Sequence, residues 1–142
     1  MGELNETFPA VPESVPRARR AVGDFARRRG VAADVLPKVA LAVSEACTNV
    51  VLHAYRDEQE VGHLEVRAEI VEEHLRVIVA DAGVGLMPHF DSPGLGLGLP
   101  IISQTADVFE VRSSQAGGTE LCMRFPLVER REDPATARSS AA

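Results

Sequence analysis

The sequence predicts an α/β protein: a two-layer sandwich in which a mixed, mostly antiparallel sheet carries helices on one face. Three observations predict it. Residues 61–71 and 74–81 alternate apolar and polar side chains with period two on either side of Glu72 and Glu73, which reads as a hairpin. Residues 14–55 place apolar residues at helical spacing instead. The resulting order, β-α-α-β-β-loop-α-β-β, puts helices and strands into separate layers.

Residues 3–11 (ELNETFPAV) read as a short edge strand ending at Pro9 and Pro12. Ser14 is placed to cap a first helix, with Pro16 tolerated in its opening turn. Ala18, Ala21, Val22 and Phe25 then recur on one side and Gly30 stops the helix. Its outer side is rich in arginine. Asp34 is placed to cap a second helix that runs through Tyr55, with Pro37 in its first turn.

That second helix organises the chain. From Lys38 to Tyr55 it is apolar nearly all round, which predicts burial, with Val39, Val43, Ala46, Cys47, Val50 and Ala54 on a broad face. Glu45, Asn49 and His53 fall one above another at i, i+4 and i+8. A carboxylate, an amide and an imidazole on so apolar a helix require something polar to face.

In the first hairpin Leu64, Val66, Ala68 and Ile70 share one face, and Leu75, Val77, Val79 and Asp81 share another. Asp81 therefore points to the covered side. Residues 82–98 hold five of the eleven glycines with Pro88 and Pro93, an ordered loop with a mobile middle. A helix over 97–105 follows. Residues 107–112 and 118–127 form a second hairpin, with Thr119, Leu121, Met123 and Phe125 on one face. The organisation is one domain over 1–128 and a charged, then small and polar, tail over 129–142 that is expected to fray.

Composition narrows the functional classes. With 142 residues, 45% hydrophobic and 25% charged, the chain is an ordinary globular domain. A net charge of -6 argues against direct nucleic-acid binding. No apolar run is long enough for a membrane span and no signal peptide opens the chain, so a cytoplasmic location is expected. Cys47 and Cys122 lack metal-ligand spacing and read as reduced structural thiols. Arg17, Arg19, Arg20, Arg27, Arg28 and Arg29 crowd the first thirty residues, either as a solvated face or as a docking surface for an acidic partner.

Three separated signals converge on a nucleotide. Asp81, followed by Gly83 and Gly85, offers a covered carboxylate to an exocyclic amine beside backbone that a flat ring can approach, which suits adenine. Gly94, Gly96 and Gly98, interleaved with Leu95, Leu97 and Leu99, open onto a helix whose N-terminal amides and dipole suit phosphates. Asn49 offers a neutral oxygen to Mg²⁺, which keeps waters and leans on phosphate oxygens. Glu45, one turn earlier, is placed as a general base or as a partner of Asn49.

E-A-C-T-N-V-V-L-H-A-Y (45–55), D-A-G-V-G (81–85), G-L-G-L-G-L-P-I-I (94–102) and G-G-T-E (117–120), in that order, resemble the N box, the two glycine boxes and the final G-T motif of the GHKL ATPases. On a chain this short, Glu-x-x-x-Asn ending in His-Ala-Tyr is similar to the RsbW-type anti-sigma factor serine kinases. The resemblance covers roughly residues 5–127 and implies the Bergerat ATPase fold. It implies that Asn49 holds Mg²⁺, Glu45 is the catalytic base, Asp81 reads the adenine amine and Thr119 completes the adenine network.

The resemblance also implies ATP or ADP as ligand, a sigma factor as the sequestered partner, a small anti-anti-sigma (STAS) protein phosphorylated on serine, and a homodimer. The sequence departs from the pattern in two places. Many relatives carry a basic residue before the second glycine cluster, where this chain has Ser92, Pro93 and Leu95, and the loop's only titratable base is His89. The loop between Asp81 and Gly94 is also short. Charge neutralisation then falls to Mg²⁺, to backbone amides and, if it contacts phosphate rather than packing within the helix, to His53. The alternative from another class is a binding module in which nucleotide sets the shape of a docking surface and no phosphate moves. A histidine kinase's catalytic half is disfavoured for want of a phosphoacceptor helix pair, and a gyrase-like ATPase for want of a transducer domain.

Overall fold

The period-two stretches become strands, and each finds an antiparallel neighbour. The computed structural model describes residues 2–55, 61–82, 102, 104–113 and 117–128. Within them β1 (Leu4–Pro9), β2 (His63–Val71), β3 (His74–Asp81), β4 (Val108–Ser113) and β5 (Thr119–Pro126) form a sheet in the order β1-β2-β3-β5-β4. Every described neighbouring pair is antiparallel. β1 is an edge strand, which suits Pro9 at its end.

The alternation fixes which face is covered. Leu64, Val66 and Ala68 of β2, Leu75, Val77 and Val79 of β3, and Leu121, Met123 and Phe125 of β5 are all buried. Helix α1 (Ser14–Arg28) and helix α2 (Leu36–Asn49) pack against each other, and α2 lies on β3. Val22 and Phe25 of α1 and Val39, Val43 and Cys47 of α2 join the same core. Fully burying a side chain of this size contributes about 1.5–3 kcal/mol. On the sheet's other face Arg67 bridges Glu65 at 3.2 Å and Glu120 at 2.9 Å, and Arg76 meets Glu69 at 3.2 Å. Such half-exposed pairs are worth about 1 kcal/mol or less each.

Both helix starts differ from expectation. Ser14 and Asp34 do not cap: Glu13 and Val35 occupy the cap positions without a side-chain bond. The preceding turns do the work instead. Ser14 N–H donates to the Val11 carbonyl at 3.0 Å and Val15 N–H to Pro12 at 3.2 Å, while Val35 N–H donates to Ala32 at 3.0 Å. Orphan amides met by backbone need no side chain. The end of α1 is as expected. Gly30 has φ of +89°, its N–H donates to Arg27 and that of Val31 donates to Ala26, a Schellman closure that glycine permits.

The long helix is also corrected. It is α-helical only to Asn49 and continues as a π-helical turn, Val50–Ala54. It is not buried all round, since Leu41 and Leu52 are 43% and 57% exposed. Of the helix expected over 97–105 the described part is the last turn, where Ala106 N–H donates to the carbonyl of the fully buried Ile102 at 2.9 Å. The glycine-rich loop and the tail over 129–142 lie outside the described residues.

Two consequences are measurable. Val71 pairs with His74 across a two-residue turn in which Glu72 and Glu73 hold φ of +50° and +64°. That geometry favours Asn-Gly over any pair of glutamates. Replacing the pair (Glu72→Asn with Glu73→Gly) raises the unfolding free energy by about 1 kcal/mol in urea denaturation. The second concerns pH. Burial pushes the Cys47 thiol from its ordinary 9.0 up to about 12. Below pH 9 the thiol is protonated whether the chain is folded or not, so it adds no pH dependence. Between about 9 and about 12 the unfolded thiol ionises and the folded one does not, so stability falls as pH rises. A Cys47→Ala variant, compared with the parent at pH 8 and 10.5, loses that part of the slope.

Candidate functional site

One row of residues crosses the sheet at the end where β3 stops. Phe8 pairs with Leu64, Leu64 with Asp81, Asp81 with Thr119 and Thr119 with Ser113. The β1 side of the row is apolar and the β5 side is polar. Asp81 is 7% exposed and Thr119 1%. Both project to the helix-covered face, as the alternation predicts, so a carboxylate and a hydroxyl stand together at the rim of an apolar layer. A buried carboxylate at the open end of a strand is a candidate for reading a ligand's donor.

Gly118 explains how β3 and β5 come so close there. It holds φ of +89°, and a Cβ on it would lie 2.0 Å from the Asp81 carbonyl oxygen and 2.7 Å from Ala82 Cα. Only glycine fits. The G-G-T-E segment thus supplies a buried hydroxyl and the backbone clearance beside it.

α2 brings the second set of groups. Asn49, its last residue, is 5% exposed, and its Nδ2 has no hydrogen-bond partner among the described residues. A buried amide left so costs about 1–3 kcal/mol, which points to a polar ligand as its partner. Glu45, one turn earlier, is half-buried and can meet solvent or substrate. Its neighbour Ser44 accepts from Arg19 of α1 at 3.2 Å, which ties the two helices together. His53 is half-buried in the π turn, which has replaced the α-helical stripe expected for it. Among the described residues no group of three or more His, Cys, Asp or Glu side chains is placed to hold a metal ion. A cation here would take the Asn49 oxygen and otherwise phosphate and water oxygens, a donor set suited to Mg²⁺.

Gly83, Gly85, Gly94, Leu95, Gly96, Leu97, Gly98 and Leu99, with His89, lie outside the described residues. Tyr55, Gly62 and Ala82 were missed as site residues by the reading of the sequence. The Tyr55 hydroxyl donates to the His63 carbonyl at 2.6 Å and accepts from Ala82 N–H at 2.9 Å. A Cβ on Gly62 would lie 2.2 Å from the Tyr55 ring. The signal for this was the tyrosine closing His-Ala-Tyr. A cleft of about 460 Å³ opens beside these groups, lined by Tyr55, His63, Glu65, Asp81, Gly117 and Glu120.

The chain and its fold have known counterparts. Residues 8–125 match the family described as histidine kinase-like ATPase domain. The serine-protein kinase RsbW of Bacillus velezensis is 42% identical over 100 residues, 70% of this chain and 61% of the relative. That of Bacillus mycoides is 31% identical over 138 residues, 87% of this chain and 84% of the relative. A crystal structure of the RsbU and RsbW domains of a Mycobacterium tuberculosis protein has the same fold, with a TM-score of 0.68 over 89% of this chain and 32% of that one at 18% identity. Against the Bacillus velezensis kinase, the matched stretch spans about three-fifths of the relative's length. A family match over 118 residues, with 31% identity across 84% of a curated relative, settles the family: the chain belongs to the histidine kinase-like ATPase domain family, and within it to the RsbW group.

Proposed function

We propose that this domain binds ATP with Mg²⁺ and transfers the γ-phosphoryl group to a serine of an anti-anti-sigma STAS protein, sequestering a sigma factor when that partner is unavailable. The observation that carries the reading is the buried Asp81–Thr119 pair at the end of β3, facing the helix that bears Glu45 and Asn49. The names of the similar Bacillus kinases support the reaction type.

Each group then has a task. Asp81 accepts a hydrogen bond from the adenine amine, which selects adenine because guanine has no donor there. Thr119 completes the contact, Gly83 and Gly85 leave backbone that the adenine ring can approach, and Gly94, Leu95, Gly96, Leu97, Gly98 and Leu99 offer amides to the phosphates. Asn49 would hold Mg²⁺, which when bound offsets charge on the phosphate oxygens. Glu45 takes the proton of the incoming serine hydroxyl as its oxygen bonds to the γ-phosphorus. The bond from that phosphorus to the β–γ bridging oxygen breaks, and ADP leaves. His53 is assigned to the phosphate side of the site.

The partner surface is assigned to the groove between α1 and α2, about 350 Å³, lined by Arg19, Arg20 and Arg27 with Gly23, Leu36 and Pro37, and by Asp24, which pairs with Arg27 and leaves Arg19 and Arg20 as the excess positive charge. A basic rim on a chain of net charge -6 suits an acidic partner, here the sigma factor. The domain acts as a homodimer in the cytoplasm, where its two free thiols, Cys47 and Cys122, stay reduced, and it regulates transcription without touching nucleic acid or membrane. A second reading, a nucleotide-gated binding module without transfer, is favoured by the lack of a basic residue among Ser92, Pro93 and Leu95.

Incubation with labelled ATP, Mg²⁺ and STAS-domain proteins of the same cell is expected to yield phosphoserine on one of them. Glu45→Ala lowers the rate by about 10²–10⁴-fold with ATP still bound, and Asp81→Asn weakens ATP binding by roughly ten- to a hundredfold. Tight ATP binding with no transfer to any STAS protein would select the second reading. In a separate binding assay, Arg20→Glu is expected to weaken sigma-factor binding by at least about tenfold and to leave ATP affinity unchanged; equal binding would move the partner surface elsewhere.

A further inference from the structure

The Asp81–Ala82 peptide is gripped from both sides, and neither grip belongs to the nucleotide contacts above. On one side the Tyr55 hydroxyl accepts from Ala82 N–H at 2.9 Å while donating to the His63 carbonyl at 2.6 Å. A phenol has one proton to give and lone pairs to receive, so both bonds form at once. On the other side Gly118 packs its bare Cα face on the Asp81 carbonyl and Ala82 Cα.

Tyr55 is itself held. Its ring lies against Gly62, where even a methyl group would stand 2.2 Å from it, and the Gly62 carbonyl accepts from Ala10 N–H at 2.8 Å at the end of β1. The hydroxyl therefore joins three backbone segments: the turn after the π segment, the start of β2 and the residue that follows β3. The peptide plane it fixes is the one that carries the Asp81 side chain into the site.

We infer that Tyr55 is a positioning residue for nucleotide recognition: its hydroxyl sets the orientation of the Asp81–Ala82 peptide, and through it the aim of the carboxylate that reads adenine. It touches no reacting atom. The inference rests on the adenine-binding reading of Asp81. It extends that reading, because it makes base selectivity depend on a side chain that bonds the backbone beside Asp81.

The test uses the full chain with Tyr55→Phe, which keeps the ring over Gly62 and removes the hydroxyl. Losing one hydrogen bond that orients the adenine acceptor is expected to weaken ATP binding by about tenfold in calorimetry. GTP binding changes less, so ATP-over-GTP preference narrows. In the transfer assay KM for ATP rises by a similar factor with kcat moving less than about threefold. Exchange of the Ala82 amide, followed by NMR, accelerates. Gly62→Ala, which displaces the ring, reproduces the affinity loss.

Unchanged ATP affinity and unchanged ATP-over-GTP preference in folded Tyr55→Phe would overturn the inference. So would loss of the folded circular-dichroism spectrum, since Tyr55 would then be a structural residue. A parent chain that binds no ATP overturns the adenine reading itself. In that case the Ala82 exchange rate still decides separately whether the hydroxyl grips the peptide.

Discussion

The structure turns on a carboxylate placed on the covered face of a central strand. Asp81 continues the buried sequence Leu75, Val77, Val79 and is in register with Thr119, so the end of an apolar row is converted into a polar rim. A polar group there needs donors, and the surroundings are shaped to admit them. β5 approaches through Gly118, which adds no side chain. The helix lying on β3 contributes small or slim residues to the core, Ala42, Val43, Ala46 and Cys47, so it sits close while Asn49 reaches the same region at its end.

Much of this was legible because it depends on local periodicity. Faces of β2, β3 and β5 follow from alternation over eight or nine residues, and one slip in register would have exposed Leu64, Val77 and Phe125 together. Asp81 and Thr119 were placed by the same rule. What failed depended on partners far along the chain or on backbone alone. Ser14 and Asp34 have the chemistry of caps, yet carbonyls of Val11, Pro12 and Ala32 had already met the amides they would have served. Nothing in the spacing of Glu45, Asn49 and His53 announces a π turn between the last two. The two glycine clusters, one read as clearance for adenine and the other as phosphate-binding backbone, fall outside the described residues.

The arginines of α1 and of its C-cap show why a charge cluster cannot be read as one surface. Arg17 lies over the Phe8 ring at 5.6 Å and Arg29 over Phe25 at 5.1 Å, each covering an aromatic of the core. Arg19 bonds Ser44 on α2 and Arg27 meets Asp24 at 3.4 Å. Arg20, exposed on the groove rim, is the side chain in the cluster best placed to meet a partner. Sequence proximity put six guanidinia in one region, and helical phase divided them between packing and surface.

The π turn gives the site its continuity. A turn that takes in one extra residue rotates everything after it by about 100° relative to an uninterrupted α-helix. Without it Tyr55 would leave the helix on a different side, away from the His63 carbonyl and Ala82 N–H that it now joins. With it, the segment that carries Asn49 and the segment that carries Asp81 are linked through one side chain rather than only through packing. A wide turn has poorer geometry than the α-helix it extends and persists where surrounding contacts hold it. Here the hydroxyl bonds at its exit and the close fit of the ring on Gly62 supply those contacts, so the irregular turn and the placement of Asp81 depend on each other.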